Sequence, residues 1–399
     1  MIFAASGLDL QLVLPDIRNF HAPGAMVPPV GPGLKKQDSL GGGAGGDEDP
    51  GVLKPVFKTD AIDGRLEFRD SLADWFLKNG KDYPWRRTSD PYAVLVSEVM
   101  LQQTQIATVL GKGFFNRFLE RFADVETLAR AGDEVLLKTW EGLGYYRRAR
   151  MLRETAKAVL ERHEGAFPKE TDELMALPGI GRYTANAVRA FAFDLPSAVV
   201  DGNVSRVVSR LMDHRGAVDE TDGIRKIWNW TEALADPERP RVFNSALMEL
   251  GQTICRPGVP DCLSCPVAGF CRTREPESLP VKRKKTAVTE VAEHAIWLRD
   301  KKGRVLMHRE AGKRRQGLWR LPLKTEDEVK GLPMKYRSRY TITRYRVTLE
   351  IWDAGVAGKG IGITSGDEWK EITELASLPM PSPFRRAIDE MTADIQNGM

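Results

Sequence analysis

The chain has 399 residues, 42% of them hydrophobic and 29% charged, and its formal net charge is +4. This length allows two domains and a tail, and no apolar run approaches the roughly 18 residues that a membrane span requires. No Lys or Arg precedes Arg18, so the positively charged start of a secretory signal is missing. We expect an intracellular protein without membrane association, in the cytoplasm or nucleoid if the source is bacterial.

Residues 1–62 are rich in proline and glycine. The prolines interrupt any long helix, and Gly41–Gly46 is a glycine run broken only by Ala44. We predict a disordered N-terminal extension. A misassigned start codon is the alternative, because periodic sequence begins only near Arg65.

Residues 63–273 carry helical patterns. The first predicted helix ends at Asn79-Gly80 and has one apolar face, formed by Leu66, Leu72, Trp75 and Phe76. Asp90-Pro91 is typical of a helix start, since an N-cap residue is followed by proline. Three later apolar groups follow helical spacing: Phe114, Phe115, Phe118, Leu119 and Phe122; Val135, Leu136 and Trp140; and Val204, Val207, Val208 and Leu211. These patterns predict an all-α domain.

The composition changes after residue 273. Residues 274–288 contain prolines and the basic cluster Lys282–Lys285, and we interpret them as a linker. Residues 289–399 show β patterns, including strand-like runs at 288–298 and 304–308 and one long run from Tyr340 to Trp352. A helix near Ser382–Asn397 closes the chain, so the second domain is predicted to be α+β.

All four cysteines lie in one window, with the spacing Cys255-x6-Cys262-x2-Cys265-x5-Cys271. Four thiolates this close in an intracellular protein indicate a metal site rather than disulfides. Tetrahedral sulfur ligation suits either zinc or an iron–sulfur cluster, and the spacing alone does not choose between them.

A glycine turn and an acidic residue stand close together in the middle of the chain. Gly179 and Gly181 flank Ile180 at a predicted helix start, where backbone N–H groups can bind a phosphate. About one helix later, Asp201 follows the apolar pair Val199-Val200. A phosphate-sized site beside a half-buried carboxylate suggests chemistry on a nucleic acid.

Glu98 is a second carboxylate of interest, because it sits in the apolar run from Val94 to Leu101. Burial would raise its pKa and let it act as a general acid near neutral pH. Periodicity alone favours the alternative, a solvent-facing Glu on an amphipathic helix.

Taken together, these motifs resemble the endonuclease III and MutY branch of DNA glycosylases over residues 63–273. The cysteine spacing is similar to the [4Fe–4S] loop of that branch, and Leu177–Gly181 to its helix-hairpin-helix. Ser97–Thr104 resembles the signature of MutY-type adenine glycosylases, and Val200–Val204 their aspartate motif. The resemblance implies a mostly α helix-hairpin-helix glycosylase core with a [4Fe–4S] loop held by Cys255, Cys262, Cys265 and Cys271.

The resemblance also assigns catalytic roles. It implies that Glu98 protonates adenine N7 and later helps to activate water, while Asp201 stabilises the oxocarbenium-like sugar. The alternative for Asp201 is a helix N-cap, and both roles can coexist. Relatives that also cleave the strand carry a lysine amine where this chain has Tyr183, so we expect a glycosylase without lyase activity. Tyr183 and Asn203 match residues that line the active site.

DNA contacts are implied for several further residues. Gln103 matches the family residue that fills the gap left by the flipped base. Tyr145 matches the family tyrosine whose ring stacks beside the oxidised guanine. The remaining implied contacts are Arg86 and Leu101 in the adenine pocket and Thr104, Gly179 and Gly181 along the DNA. The family often has Gln or Glu where Ser245 stands here.

The C-terminal domain resembles the Nudix-like module of MutY proteins, because Gly317–Pro322 matches its Gly-Leu-Trp-x-x-Pro turn. The Nudix catalytic box is not found in the sequence, so we expect recognition rather than hydrolysis. Ile342-Thr343-Arg344 align with a Phe-Ser-His that reads 8-oxoguanine in the family. Thr343 and Arg344 are therefore the predicted lesion readers.

The sequence predicts a monomeric base-excision repair enzyme that removes adenine mispaired with 8-oxoguanine or guanine in double-stranded DNA. One alternative is a bifunctional glycosylase/lyase of the endonuclease III type, which Tyr183 and the C-terminal domain argue against. The other is a non-catalytic DNA-binding homologue, which Glu98 and Asp201 argue against.

Overall fold

The computed structural model describes residues 64–283, 287–312, 315–356 and 362–397. The predicted N-terminal extension, residues 1–62, lies outside the described residues, as do Lys284 and Lys285 of the basic cluster. Within the described ranges, no helix is both long and apolar enough to cross a membrane.

The first domain is built from helices, as predicted. They are α1 (Arg65–Asn79), α2 (Pro91–Leu101), α3 (Ile106–Gly111), α4 (Phe114–Arg121), α5 (Val125–Ala129), α6 (Asp133–Thr139), α7 (Arg147–His163), α8 (Thr171–Met175), α9 (Arg182–Phe191), α10 (Gly202–Leu211), α11 (Thr221–Leu234) and α12 (Pro240–Thr253). Short 3₁₀ segments lie at Pro84–Arg86, Ala268–Phe270 and Pro276–Ser278. The hairpin predicted at the glycine turn is formed by α8, the turn and α9.

The helical domain has two hydrophobic cores. The first is enclosed by α2 to α9 around Phe118 and Trp140. The second is enclosed by α1 and α10 to α12, with Phe68 and Val207 in its interior. The cysteine loop packs on this second core. The two cores place the helix that carries Glu98 and the helix that follows Asp201 in different halves of the domain.

Two predicted apolar faces need correction. Leu66 is 69% exposed, whereas Phe68 is fully buried. The face of α1 is therefore Phe68, Leu72, Trp75 and Phe76, whose i, i+4, i+7, i+8 spacing excludes Leu66. Val135 is likewise exposed while Leu136 is buried. The predicted face of α10 is confirmed, because Val204, Val207, Val208 and Leu211 are all buried.

The predicted linker is partly ordered against the helical domain. Pro276–Ser278 form a 3₁₀ segment, and Val281 pairs with Ala217 in a parallel bridge. Arg283 contacts the carboxylate of Glu220 at 2.9 Å. The division of the chain at residues 274–288 stays a prediction.

The C-terminal domain is α+β, as predicted. Its strands are β1 (Thr289–Arg299), β2 (Val305–Arg309), β3 (Trp319–Arg320), β4 (Leu323–Lys324), β5 (Met334–Ile342), β6 (Tyr345–Val356) and β7 (Asp367–Lys370). The main sheet order is β3-β2-β1-β6-β5, with β4 on β1 and β7 on β2. Only the β1–β6 pair is parallel among these described strands. Helix α13 (Glu326–Val329) and a 3₁₀ segment at Ile372–Glu374 precede α14 (Ser382–Asn397), which packs on the sheet core through Phe384.

The long run with β patterns from Tyr340 to Trp352 is divided between two strands. β5 ends at Ile342 and β6 begins at Tyr345, so the run folds into an antiparallel hairpin. Thr343 occupies the turn with a φ of 53°. Neither Gly nor Pro marks this turn, which is why the sequence pattern does not show it.

The two domains share packed contacts. Leu318 of the C-terminal domain is buried in the first helical core. The Tyr146 hydroxyl donates to the carbonyl of Met380 at 2.7 Å, and Arg385 pairs with Glu141 at 2.8 Å. These contacts tie the C-terminal domain to the segment that carries Tyr145.

Candidate active site

Helix α2 positions Glu98 inside the protein. Asp90 caps the helix by accepting from the N–H of Tyr92 at 3.0 Å, and Pro91 takes the first position. Every residue from Tyr92 to Met100 is buried. Apart from Ser97 and Glu98 these residues are apolar or aromatic on every face of the helix, which is typical of a helix in the interior of a domain. Glu98 itself is only 6% exposed. The solvent-facing alternative for this side chain is therefore wrong.

Glu98 is held by a hydrogen bond from helix α9. The Tyr183 hydroxyl donates to Glu98 Oε2 at 2.6 Å. Burial raises the pKa of Glu98 to about 7, against the opposing effect of the Tyr183 hydrogen bond and with a smaller contribution from the charge of Asp201. Burial also raises the pKa of Tyr183 well above its usual value, so this phenol stays a donor. Glu98 can thus hold or release a proton near neutral pH.

Asp201 begins helix α10 and faces the same buried region. Its Oδ1 accepts from the N–H of Val204 at 2.7 Å, and its Oδ2 accepts from Asn203 Nδ2 at 2.8 Å. The N-cap alternative is therefore part of the structure. Burial raises the pKa of Asp201, while the bonds from Val204 and Asn203 act in the opposite direction. The carboxylate is thus oriented by two donors.

Arg206 is a buried residue of this site that the sequence reasoning missed. Its Nη2 donates to Asn203 Oδ1 at 2.9 Å and to the carbonyl of Gly251 at 2.7 Å. Its Nε donates to the carbonyl of Cys255 at 2.9 Å. The available signal was that two arginines, Arg206 and Arg210, interrupt the apolar pattern of α10. Arg206 joins the support of Asp201 to the start of the cysteine loop.

The cysteine loop lies beside a second arginine of the same helix. Arg210 Nη1 donates to Cys255 Sγ at 3.3 Å and to the carbonyl of Arg256 at 2.8 Å. Burial, together with the charges of the other three cysteines, raises the pKa of Cys265 to about 11. Among the described residues, no three His, Cys, Asp or Glu side chains are arranged to hold a metal ion. The donor set, four thiols of which three are partly buried, has the chemistry of a sulfur-ligated metal centre.

A pocket opens over Glu98. Helix α12 supplies one wall at helical spacing, with Arg241, Ser245, Met248 and Gln252. Arg86 and Leu101, the predicted residues of the adenine pocket, also line this cavity. The sequence analysis did not identify Gln252 as a pocket residue, although it lies seven residues after Ser245 on the same face of α12. Gln252 brings a side-chain amide to the pocket wall where Ser245 brings only a short hydroxyl.

Arg86, which lines this pocket, is paired with a buried acid. Its Nη1 lies 2.8 Å from Oε2 of Glu249, which is fully buried. The guanidinium also stacks on the ring of Tyr83, with 4.7 Å from its carbon to the ring centroid. The sequence analysis assigned no role to Glu249. Its function in the structure is to hold Arg86.

Three predicted DNA contacts share one groove of about 550 Å³. It is lined by Gln103, Tyr145 and Gly179, together with Arg148 and Ile180. Gln103 and Tyr145 adopt the left-handed backbone region, with φ of 57° and 47°. Both side chains are exposed. Thr104 stands next to Gln103, and its Oγ1 accepts from Arg148 at 3.3 Å.

The two glycines of the hairpin turn have different roles. Gly179 has a φ of 77°, and a Cβ atom there would lie 3.1 Å from Met151. Gly181 has an extended backbone that any residue could adopt, and a Cβ would meet no atom within 4 Å. The backbone conformation of the turn therefore requires glycine at position 179 but not at position 181.

The predicted lesion readers stand apart from these sites. Thr343 and Arg344 form the exposed turn between β5 and β6, and in the described structure they line neither the pocket nor the groove. Thr343 Oγ1 donates to the carbonyl of Ile342 at 2.7 Å, and Arg344 donates to the Tyr345 hydroxyl at 3.2 Å.

Comparisons with known proteins identify the family. Residues 96–233 match the model of the HhH-GPD superfamily of base excision DNA repair proteins. The chain is 31% identical over 244 residues to the adenine DNA glycosylase of Buchnera aphidicola subsp. Acyrthosiphon pisum, covering 69% of that protein and 58% of this chain. The chain belongs to the adenine DNA glycosylase family.

Two mammalian relatives are matched over a smaller share of their own length. The human adenine DNA glycosylase is 42% identical over 217 residues, which are 52% of this chain and 39% of the human protein. The mouse adenine DNA glycosylase is also 42% identical, and 41% of its length is covered. The chain thus spans about two fifths of the length of these two relatives.

Within this family fold, we predict that Tyr183→Phe raises the pKa of Glu98 above about 7. The phenol stabilises the ionised carboxylate, and Phe keeps the ring while removing that donor. A pH titration of the Glu98 carboxyl by carbon-13 NMR measures the shift. Tyr146→Phe, which removes a buried hydroxyl that bonds Met380 instead, should leave Glu98 unchanged. A lower or unaltered pKa in Tyr183→Phe would contradict the assigned role.

Proposed function

We propose that the protein is a monofunctional DNA glycosylase that removes adenine mispaired with 8-oxoguanine or guanine in double-stranded DNA. The observation that carries the proposal is the combination of the buried Glu98 and the partly buried Asp201, each held by its own donors. Glu98 has a pKa of about 7, and Asp201 is oriented by Asn203 and the N–H of Val204. Two carboxyl groups of this kind serve the cleavage of a glycosidic bond.

In the proposed first step, adenine enters the pocket over Glu98 after it is flipped from the duplex. Glu98 gives its proton to adenine N7, so the base becomes a better leaving group. The bond between C1′ and N9 breaks, and its electron pair stays with the base. The Tyr183 hydroxyl then stabilises the carboxylate that Glu98 has become.

In the proposed second step, the sugar carries the positive charge. Asp201 stabilises this oxocarbenium-like centre, since a fixed carboxylate in a site shielded from water interacts strongly with developing charge. A water molecule attacks C1′, and its proton returns to Glu98. The products are free adenine and an abasic site, and Glu98 is protonated again.

Tyr183 supports the limit of the reaction to base removal. A strand-cleaving relative would present an amine at this position to form a Schiff base with C1′. Here a phenol with a pKa well above its usual value occupies it and is bonded to Glu98. The phenol hydrogen-bonds to Glu98, the proposed proton donor, and it cannot form a Schiff base. The reaction is therefore proposed to end at the abasic site.

The groove of Gln103, Tyr145 and Gly179 is the proposed contact with the duplex. Gly179 and Gly181 have backbone N–H groups without a protein acceptor among the described residues, which suits a DNA phosphate. Gln103 and Tyr145 project from neighbouring turns and suit insertion beside a flipped base. Thr343 and Arg344 are the proposed readers of the base opposite adenine.

The four cysteines are proposed to hold a [4Fe–4S] cluster. Partly buried thiols with raised pKa values are unstable as bare thiolates, and iron stabilises their ionised form. Such a cluster would bind the loop to α10, where Arg206 and Arg210 already contact Cys255. Its proposed contribution is to the fold around Asp201, and no step of base removal uses it.

The function is tested on duplexes that contain adenine opposite 8-oxoguanine. We expect the wild type to make the strand alkali-labile without nicking it. Glu98→Gln should reduce base release by about 10²- to 10⁴-fold, the usual contribution of a general acid, while duplex binding is kept. Gel analysis with and without alkali measures both products.

Glu126→Gln is the matched control, because Glu126 is exposed on α5 and pairs only with Arg130 at the surface among the described residues. It should retain full activity. A nick without alkali would instead support the bifunctional alternative. A wild type that binds the duplex but releases no base would support the non-catalytic one.

The cluster is tested by absorbance. We expect the purified protein to be brown, with a broad visible absorption band and about four irons per chain. Cys265→Ser should lose most of the iron and lower the melting temperature, because it removes a ligand that packs on the second core. A colourless wild type that contains one zinc ion would refute the cluster and leave the glycosylase proposal standing.

A further inference from the structure

Arg148 holds two separate turns at once. One side of its guanidinium, Nη1, donates to the carbonyls of Val99 at 2.9 Å and Met100 at 3.0 Å, and also to that of Gln102. These carbonyls belong to the C-terminal end of α2, the helix that carries Glu98. Carbonyl groups at a helix end have no partner within the helix, and a cation there is favourable. Arg148 therefore closes the end of α2.

The other side of the same guanidinium reaches the turn before Tyr145. Nη2 donates to the carbonyls of Leu143 at 2.9 Å and Gly144 at 3.2 Å. The guanidinium carbon also lies 5.5 Å from the ring centroid of Tyr145. One planar group thus binds the turn of Gln103 and the turn of Tyr145.

The charge of Arg148 is supported by carbonyl groups and aromatic rings. Among the described residues it pairs with no carboxylate, and its second aromatic contact is Trp140, at 5.5 Å. Desolvation lowers the pKa of Arg148 to about 10. An arginine in such surroundings is suited to holding several acceptors in fixed positions, because its planar fork of donors has a fixed shape that lysine lacks.

The two turns need such support. Gln103 and Tyr145 both have left-handed backbone conformations, which side chains other than glycine adopt only when the surrounding structure enforces them. Thr104, next to Gln103, also accepts from Arg148 Nη2. The hydrogen bonds of Arg148 supply a common constraint on both.

We propose that Arg148 is a positioning residue that couples the turn of Tyr145 to the turn of Gln103 and the end of helix α2. A base contacted by Tyr145 then affects the placement of Gln103 and Glu98 through one rigid group. This inference rests on the proposed function, because its consequence concerns the substrate. It predicts that Arg148 contributes to the preference for 8-oxoguanine over guanine opposite adenine.

The test compares Arg148→Met with wild type in single-turnover adenine release from two duplexes, one with adenine opposite 8-oxoguanine and one with adenine opposite guanine. We expect the rate on the 8-oxoguanine duplex to fall about ten- to a hundredfold more than the rate on the guanine duplex, the scale of lost charged hydrogen bonds. Arg162→Met, a matched loss of charge on the exposed end of α7, should leave both rates unchanged.

A double-mutant cycle with Tyr145→Ala separates coupling from general damage. The preference is the ratio of the rate on the 8-oxoguanine duplex to the rate on the guanine duplex. If Arg148 acts through Tyr145, Arg148→Met should lower this ratio much less in the Tyr145→Ala background than in wild type. Full additivity of the two changes, or an equal fall in rate on both duplexes, would overturn the proposal.

Folding of each variant is checked by thermal melting. Should Arg148→Met not fold, Arg148→Lys serves in its place, since it keeps the charge but cannot bind both turns with one planar group. It is expected to shift the preference in the same direction. A wild type that releases no adenine from either duplex would overturn the proposed function and this coupling together, whereas an active wild type with additive variants overturns the coupling alone.

Discussion

The site depends on a competition at one carboxyl group. Burial of Glu98 in the apolar helix α2 favours the protonated acid, and the Tyr183 hydrogen bond favours the carboxylate. The effect of burial is the larger of the two, and the hydrogen bond offsets part of it, so the pKa lies at about 7. A group that can both give and recover a proton is what a two-step base removal requires. If α2 were not buried by the surrounding helices, Glu98 would be an ordinary ionised surface residue.

The rest of the helical domain brings Asp201 to this group. Glu98 and Tyr183 belong to elements around the first core, whereas Asp201 begins a helix of the second core. Arg206 bonds Asn203, Gly251 and Cys255, and so it fixes the start of α10 to α12 and to the cysteine loop. The cysteine loop is thereby connected, through Arg206 and Asn203, to the orientation of Asp201. The separation of the two cores explains why one chain can present two carboxyl groups in different settings.

Local signals made part of this structure predictable. The cap at Asp90-Pro91 and the apolar repeat of α10 act over short sequence distances, and both are present in the structure. Periodicity alone favoured a solvent-facing Glu98, because a helix packed on all sides differs from an amphipathic one only through its tertiary neighbours. The same limit applies to Leu66, whose exposure depends on where the second core lies.

Other features could not be predicted because they join distant parts of the chain. Arg206 reaches the carbonyl of Gly251, and Arg148 reaches that of Val99, across more than forty residues in each case. Gln252 becomes a candidate only when α12 is seen to line the pocket. The hairpin at Thr343-Arg344 lacks the glycine or asparagine that usually marks a two-residue turn. Sequence motifs thus pointed to the two candidate carboxyl groups, and the three-dimensional contacts identify the residues that hold them.

The most direct test of the central claim is the pH dependence of single-turnover adenine release from a duplex with adenine opposite 8-oxoguanine. Glu98 must be protonated to act, and its pKa is about 7. The rate constant should therefore fall above about pH 7 and approach a tenfold loss for each further pH unit. A rate constant that stays level up to about pH 9 would contradict the role of Glu98 as the proton donor.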